Sequence, residues 1–326
     1  MMEYVKLGNT GMEVSKLCLG CMGFGEPERG REKWSIGEAE SREVIKKALD
    51  SGINFFDTAN LYSYGSSEEI VGKALKDFAN RDEIVLASKL YFPMFDGPNA
   101  KGLSRKSIFA EIDHSLKRLQ TDYLDLYIIH RWDYDTPIEE TMEALHDLVK
   151  MGKVRYIGAS SMHAWQFAKA QFIAEKNGWT KFVSMQNLYN LLYREEEREM
   201  IPLLQDRKVA MTPWSPLAGG RLTRDIGAVT ARTSQAVEAN LPAYIVASDN
   251  EVISRVHKLA DERGITRGQV ATAWMLSKDY VTAPLIGATK VNYLDDALGA
   301  FEVALSAEEI KYLEEAYVPR NITGYR

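Results

Sequence analysis

Short apolar runs alternate with longer amphipathic segments along most of the chain. The short runs are rich in β-branched and aromatic residues and show little polar alternation, which is typical of strands buried on both faces. The longer segments carry apolar residues three or four positions apart, which predicts helices. The predicted strands are residues 17–20, 54–57, 84–89, 124–130, 154–160, 183–186, 209–215 and 283–286. The predicted helices between them are residues 41–51, 66–78, 104–120, 137–151, 163–177, 194–206 and 267–277.

Eight buried strands in regular alternation with helices predict an α/β fold, and within that class a closed (β/α)₈ TIM barrel. An N-terminal β-hairpin is predicted from two short strands, residues 4–7 and 13–15. Extra helices are predicted at residues 250–263, in the loop after strand 7, and at residues 306–316 near the C-terminus. Because no Gly/Ser-rich linker divides the pattern, residues 1–326 are predicted to form a single domain.

Two segments depart from the repeat. Residues 216–249 have no clear period, and loops of that length in compact domains are usually functional or disordered. Residues 194–199 concentrate acidic side chains at the start of a predicted helix, where negative charge complements the helix dipole. This acidic run is therefore interpreted as a solvated face.

The charge balance excludes several kinds of partner. The formal net charge is −6, and acidic and basic residues are mixed along the chain, so no broad basic face is available for nucleic acid. The sequence has neither a signal peptide pattern at its start nor an uninterrupted apolar stretch of about 18 residues. These features predict a cytoplasmic protein that binds neither nucleic acid nor a membrane.

Cys18 and Cys21 are the only cysteines, and their Cys-x-x-Cys spacing is also found in redox sites. Such sites place the pair at the start of a helix, whereas here the sequence continues Met22-Gly23-Phe24-Gly25, which is a poor helix start. Buried cysteines at a strand end are therefore the favoured interpretation over redox chemistry.

Reactive side chains are concentrated at the ends of three consecutive predicted strands. Asp57 ends strand 2, Tyr62 follows in its loop, Lys89 ends strand 3 and His130 ends strand 4. Each residue taken singly has an ordinary structural explanation. Since barrel active sites are built at the C-terminal ends of the strands, however, the four side chains are predicted to meet at one mouth.

Together the four residues make a coherent device for delivering a proton. A free phenol with a pKa of about 10 is a reluctant donor, and a nearby cation such as Lys89 lowers that pKa. Asp57 is expected to keep Lys89 charged and oriented. His130 is expected to hydrogen-bond the substrate oxygen and fix its position.

An acid placed beside a carbonyl group needs a nucleophile, and the sequence offers no serine elbow, zinc motif or Cys/His cluster. Hydride from a cofactor would fill that role, and no metal is expected. Residues 20–25 read G-x-x-G-x-G, which differs from the Rossmann fingerprint. Barrels often bind phosphate after strands 7 and 8, and Gly287-Ala288-Thr289-Lys290 follows strand 8 directly, ahead of a helix near Asn292. This segment suits a phosphomonoester, which favours NADPH over NADH.

The segment Phe-Phe-Asp-Thr-Ala-Asn-Leu-Tyr at residues 55–62, followed by Lys89 and His130, resembles the aldo-keto reductase signature with its Asp/Tyr/Lys/His tetrad. The similarity extends over nearly the whole chain. It implies a carbonyl reductase in which Tyr62 is the general acid and the cofactor lies across the barrel mouth. Residues 129–133 and 185–190 further resemble the bacterial and fungal aryl-alcohol-dehydrogenase-like group.

The same resemblance implies a set of cofactor contacts. Ser160 and Gln186 match the contacts to the nicotinamide carboxamide, and Trp214 matches the aromatic residue that stacks on the nicotinamide ring. Residues 215–221 match the loop that straps the pyrophosphate, and residues 287–290 match the segment at the adenosine 2′-phosphate. The expected contacts are Met22, Ser160, Ser161, Gln186, Trp214, Ser215, Pro216, Leu217, Gly219, Arg221, Gly287, Thr289, Lys290, Tyr293 and Asp296.

The chain departs from the family pattern in two places. Ser161 stands where the family commonly has Asn, and Tyr293, Asp296 and Ala297 replace its Gln…Glu-Asn after strand 8. The adenosine end of the expected site therefore follows the family less closely than the tetrad does, and NADH stays open as a cofactor.

Two other functions are compatible with these residues. Lys89 at a strand end is also the arrangement of a Schiff-base lyase, although Asp57 would oppose the lowered lysine pKa that such chemistry needs. A sensor that binds the cofactor and regulates a partner is the second alternative. The substrate is expected to be a small carbonyl compound in an aromatic-lined pocket, whether an aryl aldehyde, a sugar or a keto compound, and the oligomeric state is not encoded in any motif.

Overall fold

A sheet of eight parallel strands dominates the computed structural model, which describes residues 2–30, 32–228 and 246–325. Two antiparallel strands, β1 Tyr4–Lys6 and β2 Glu13–Ser15, form the N-terminal hairpin. The parallel strands are β3 Cys18–Gly20, β4 Phe55–Asp57, β5 Val85–Leu90, β6 Leu124–Ile129, β7 Val154–Ser160, β8 Phe182–Gln186, β9 Ala210–Met211 and β10 Leu285–Gly287. They follow chain order from β3 to β9, and β10 pairs with β3.

Backbone hydrogen bonds join the two edges of this sheet. Thr282 N donates to Met211 O at 2.8 Å, and Leu285 N donates to Pro213 O at 2.9 Å. The chain next to β9 therefore meets the start of β10, and the sheet closes on itself. The predicted (β/α)₈ barrel and its N-terminal hairpin are confirmed.

Helices surround the barrel and alternate with its strands. Those described are α1 Glu38–Asp50, α2 Ser66–Phe78, α3 Arg105–Leu119, α4 Ile138–Lys150, α5 Ala164–Asn177, α6 Met200–Arg207, α7 Asp249–Arg263, α8 Arg267–Leu276, α9 Val291–Gly299 and α10 Ala307–Glu314. The two predicted extra helices correspond to α7 and α10. Of the predicted long loop, residues 218–223 form a 3₁₀ turn, whereas residues 229–245 lie outside the described residues.

One predicted strand and one predicted helix are each five residues longer than the element that forms, which is the largest difference among the predicted elements. Strand 7 was expected at residues 209–215, but β9 spans Ala210–Met211, with an isolated bridge between Leu188 and Trp214. Pro213 explains the short ladder, because proline has no N–H to donate. The helix expected at residues 194–206 begins only at Met200, after a 3₁₀ turn at Glu195–Glu197.

Side chains on the strands alternate between the barrel interior and the layer beneath the helices. Cys18, Phe55 and Val85 belong to an apolar cluster inside the barrel, whereas their neighbours in sequence pack against the helices. Leu7 and Val14 of the hairpin join the interior cluster. They contact the first residues of the strands, so the hairpin closes the N-terminal end of the barrel.

Cys18 and Cys21 are both free and fully buried. Burial raises the pKa of both thiols, with the Asp57 carboxylate adding to the effect. The thiol form is thereby favoured over the nucleophilic thiolate, which agrees with the interpretation of buried strand-end cysteines.

No helix within the described ranges is long and apolar enough to cross a membrane. The same ranges contain no group of three or more His, Cys, Asp or Glu side chains placed to hold a metal ion.

Candidate active site

The alternation along the strands places three predicted residues at the barrel mouth. Phe55, Val85 and Leu126 point into the barrel, and the period of two carries the interior face onward to the C-terminal strand ends. Asp57 lies two residues beyond Phe55, while Lys89 and His130 each lie four residues beyond Val85 and Leu126. The expected convergence is therefore a consequence of strand geometry.

Lys89 is the centre of the cluster. Its side chain is fully buried, and its ammonium group donates to an Asp57 carboxylate oxygen, to Thr58 O at 2.9 Å and to Tyr62 Oη at 3.1 Å. Three donors thus meet three acceptors, which satisfies the ammonium completely. Asp57 receives a second hydrogen bond from Gln186 Nε2 at 2.9 Å.

A tight turn brings Tyr62 over Lys89. The chain leaving β4 runs beside β5, with Thr58 N bonded to Ala87 O and Asn60 N bonded to Lys89 O. Tyr62 then begins a 3₁₀ turn in which Ser63 and Tyr64 both have φ of 46°. Such left-handed conformations are costly for residues other than glycine and occur where the surrounding structure enforces them. The strained turn fixes the direction of the Tyr62 side chain.

His130 completes the group. Its ring lies edge-to-face with Tyr62, with 5.8 Å between centroids, and with Phe92 at 5.0 Å. Burial lowers the pKa of His130, and the charges of Lys89 and Arg131 lower it further, so the ring is neutral near pH 7. A neutral imidazole has one N–H donor and one acceptor nitrogen, and Nδ1 has no hydrogen-bond partner among the described residues.

The pKa of Tyr62 is raised, which is opposite to the direction expected from Lys89 alone. Burial of the phenol is the larger influence, and the Lys89 charge offsets it only in part. Burial also raises the pKa of Asp57, against the opposing effects of Lys89 and Gln186. For Lys89 itself burial lowers the pKa, but the nearby Asp57 and Tyr62 outweigh it and the net pKa is raised. Lys89 therefore stays an ammonium ion.

The residues expected at the nicotinamide form a second layer beside this cluster. Ser160 Oγ donates to Gln186 O at 2.7 Å and lies 3.1 Å from Ser161 Oγ. Trp214 Nε1 donates to Ser161 Oγ at 3.2 Å. Because Gln186 also bonds Asp57, these side chains are connected directly to the predicted catalytic residues.

The residues expected at the phosphates lie further out and are less enclosed. Ser215 has φ of 58° and Gly219 has φ of 67°, so the backbone takes left-handed conformations within residues 215–221. Arg221 pairs with Asp249 at 2.6 Å, which is a contact that the sequence did not indicate. Pro216 is buried, and Leu217 is half-buried and packs against the core between barrel and helices.

The strand 8 segment lies at the start of α9. Lys290 is exposed and stands at the N-cap position of that helix, and its ammonium group lies 5.9 Å from the centroid of the Tyr293 ring. Gly287 is also exposed, and an added Cβ there would meet open space. Asp296, in the middle of α9, is half-buried.

The turns after β3 and β10 touch each other. An added Cβ at Gly23 would lie 2.9 Å from Thr289 Cγ2, so only glycine permits this contact. Met22, half-buried in the same turn, is thereby placed beside the Gly287–Lys290 segment. The expected cofactor contacts thus line the strand ends from β7 around to β3, and the tetrad follows at β4 to β6.

The acidic run is not a solvated face, contrary to the sequence interpretation. Glu195 and Glu196 are both buried, with exposed fractions of 5% and 2%. Glu195 accepts hydrogen bonds from Tyr317 and from Arg320 N, and Glu196 accepts hydrogen bonds from Tyr325 and Asn187. The physical reason is that the C-terminal segment covers these carboxylates, and no local pattern indicates a contact over such a sequence separation.

Comparison with known proteins gives a consistent result. The model of the Aldo/keto reductase family matches residues 16–318. A versiconal hemiacetal acetate reductase from Aspergillus parasiticus is 46% identical, with 98% of each chain aligned. A protein of Schizosaccharomyces pombe that is provisionally named an aryl-alcohol dehydrogenase is also 46% identical, over 98% of this chain and 97% of its own. An aldo-keto reductase from Alternaria alternata is 44% identical, over 99% of this chain and 93% of its own.

Proposed function

Because this chain belongs to the aldo/keto reductase family, whose members are oxidoreductases acting on small carbonyl compounds and generally using NAD(P)H, we propose that it reduces aldehydes or ketones with NADPH. Tyr62 donates the proton. The observation that carries this proposal is the contact of the buried Lys89 ammonium with both Asp57 and Tyr62 Oη. The family match covers residues 16–318, which supports treating residues 1–326 as one domain with one site.

The four catalytic residues have separate tasks. Lys89 stabilises negative charge on the Tyr62 oxygen as the proton leaves, and Asp57 keeps the ammonium group charged and oriented. The neutral His130 hydrogen-bonds the carbonyl oxygen and holds it near the phenol. Since the pKa of Tyr62 is raised, the phenol keeps its proton throughout the neutral pH range until a carbonyl oxygen is positioned to accept it.

The groups around the mouth fit a nicotinamide dinucleotide phosphate. Ser160, Gln186 and Trp214 offer polar and aromatic contacts beside the tetrad. Lys290, Thr289 and the N-terminus of α9 supply cationic and hydrogen-bonding donors of the kind that hold a phosphomonoester. When bound, the reduced nicotinamide supplies the hydride.

Aromatic side chains at the rim favour a planar, largely apolar substrate. The ring of Phe92 lies against His130, and the ring centroids of Trp132 and the exposed Trp165 are 6.1 Å apart. Relatives whose names refer to aryl alcohols agree with this chemistry. We therefore propose aromatic aldehydes and ketones as the first substrates to examine.

The Schiff-base alternative is disfavoured by the same geometry. A lysine nucleophile must be neutral, whereas Lys89 has a raised pKa and its three donors are all occupied. The second alternative, a cofactor sensor, differs from the reductase in that it binds the cofactor but does not turn over a carbonyl substrate.

Replacing Tyr62→Phe tests the proposal. Single-turnover reduction of an aromatic aldehyde is expected to slow by about 10²–10⁴-fold, since the general acid is lost, while the Kd for NADPH changes little. The matched control is Tyr127→Phe, because Tyr127 is also buried and lies on β6, two strands from β4, but faces the helices. Full activity of Tyr62→Phe would remove Tyr62 as the acid. A wild-type protein that binds NADPH but turns over no aldehyde or ketone would favour the sensor.

A further inference from the structure

Two tyrosine–glutamate pairs fasten the C-terminal segment to the barrel mouth. Tyr317 Oη donates to Glu195 at 2.6 Å, and Tyr325 Oη donates to the adjacent Glu196. The ring of Tyr325 also lies edge-to-face with His163, which follows β7, at 4.8 Å. Both pairs tie the same segment to the same short turn.

The Tyr325–Glu196 pair has further hydrogen bonds that lead toward the barrel strands. Asn187, which directly follows β8 and is fully buried, donates from Nδ2 to Glu196 Oε2 at 2.5 Å and to Tyr325 Oη at 3.2 Å. Its Oδ1 accepts a hydrogen bond from Ser161 N at 2.7 Å. A buried triangle of Tyr325, Glu196 and Asn187 is thereby joined to the backbone at the end of β7.

The triangle and Ser161 N together fix which way the Asn187 amide points. An amide has a donor end and an acceptor end, and the NH₂ group of Asn187 donates to an oxygen of Glu196. The amide oxygen is then left facing Ser161 N. Without Glu196 and Tyr325, the Asn187 NH₂ group would lose both of these acceptors, and the hydrogen bond from Ser161 N would be left to hold the amide in place.

Ser161 depends on that hydrogen bond. Its φ is 51°, a conformation that costs energy for a residue with a side chain and persists only when neighbours enforce it. Ser161 Oγ in turn accepts from Trp214 Nε1 at 3.2 Å and lies 3.1 Å from Ser160 Oγ. The orientation of Asn187 thus bears on two of the side chains expected at the nicotinamide.

We propose that Tyr325, Glu196 and Asn187 are positioning residues that hold Ser161 and Trp214 in the geometry required by the nicotinamide end of the cofactor. The docked C-terminal segment is then part of the cofactor site, although Tyr325 lies 129 residues beyond Glu196. This inference rests on the proposed use of a nicotinamide cofactor.

Comparing Tyr325→Phe with Tyr317→Phe tests the inference. Each change removes one phenol that bonds a buried glutamate of the same turn, but only the first touches the path to Ser161. Amide hydrogen exchange at Ser161, measured without cofactor, is expected to rise about tenfold in Tyr325→Phe, near the upper end for losing an ordinary hydrogen bond. The Kd for NADPH is expected to rise about fivefold, a fraction of that loss. Tyr317→Phe should leave both within about twofold, and urea denaturation checks that both variants are folded.

The outcomes separate the inference from the proposed function. Equal rates of amide hydrogen exchange at Ser161 in the two variants would overturn the proposed link between Tyr325 and Ser161, whatever the Kd for NADPH. Faster exchange at Ser161 in Tyr325→Phe with an unchanged Kd for NADPH would overturn the positioning role. A wild-type protein that does not bind NADPH would refute the proposed function, and the exchange measurement would still report on the contacts.

Discussion

The two ends of the proposed cofactor site are built in different ways. At the tetrad, Asp57 and Lys89 are almost completely buried on adjacent strands, and every donor of Lys89 has a partner inside the protein. At the phosphate end, Gly287 and Lys290 are exposed and lie on a loop ahead of α9. One end depends on buried charge fixed by strand register, and the other on solvated groups at a helix start.

This difference has an energetic meaning. Removing one partner of a buried ion pair leaves an uncompensated charge in an apolar environment, whereas a solvated charge is screened and replaceable. Single substitutions are therefore expected to have large effects at the tetrad and small ones at the phosphate end. Substitution of Glu196, which lies under the C-terminal segment, should have an effect of intermediate size.

The largest effect is expected from Lys89→Met. The variant leaves Asp57 buried without its cation, so the free energy of unfolding should fall by about 3–5 kcal/mol. Hydride transfer should slow by at least about 10²–10⁴-fold, since the proton donor loses its electrostatic support. Urea denaturation and single-turnover kinetics measure the two effects. Lys73→Met, at an exposed ion pair with Glu38, is the control, and equal destabilisation of both variants would contradict the expected difference between buried and solvated charges.

An intermediate effect is expected from Glu196, whose pKa burial raises from 4.5 to about 7. The folded protein holds the proton more tightly than the unfolded chain, so the stabilisation is fully present below pH 4.5 and is lost as the pH rises through 7. At 1.36 kcal/mol per pKa unit, the loss is roughly 3 kcal/mol.

Glu196→Gln should abolish this loss. The free energy of unfolding of the variant, relative to the wild type, should therefore increase between pH 5 and pH 8. Taking the difference cancels the titration of groups that both proteins share. A difference that is constant across this pH range would show that Glu196 is not held in the protonated form by burial.

The smallest effect is expected from Lys290→Ala. Loss of one solvated contact to a phosphate should raise the Kd for NADPH about tenfold and leave the Kd for NADH nearly unchanged. Lys258→Ala, at another exposed lysine that lies 3.8 Å from Glu262, controls for the change in net charge. Equal weakening for both cofactors would argue against a phosphate contact at Lys290 and would weaken the proposed preference for NADPH.

The sequence was informative where a regular period governs the structure. Asp57, Lys89 and His130 follow interior residues at even spacing, so their meeting at the mouth could be inferred from the strands alone. The early end of β9 at Pro213 also had a signal, because the proline is visible in the sequence and cannot donate to a ladder.

Other features had no local signal. The burial of Glu196 depends on Tyr325, which is 129 residues away, and a run of glutamates ordinarily indicates a solvated helix start. The net direction of the Tyr62 pKa depends on how completely the phenol is enclosed, which a pattern of residue types does not specify. In both cases distant tertiary contacts outweighed a sound local expectation.

The hairpin that carries Leu7 and Val14 affects the route by which ligands reach the site. Because the hairpin covers the N-terminal end and apolar side chains fill the barrel interior, the tetrad is approached from the C-terminal end of the strands. If the proposed cofactor and its substrate both bind at this mouth, the ligand seated deeper is expected to bind first and to leave last. The fold would then set the order in which these ligands bind and are released.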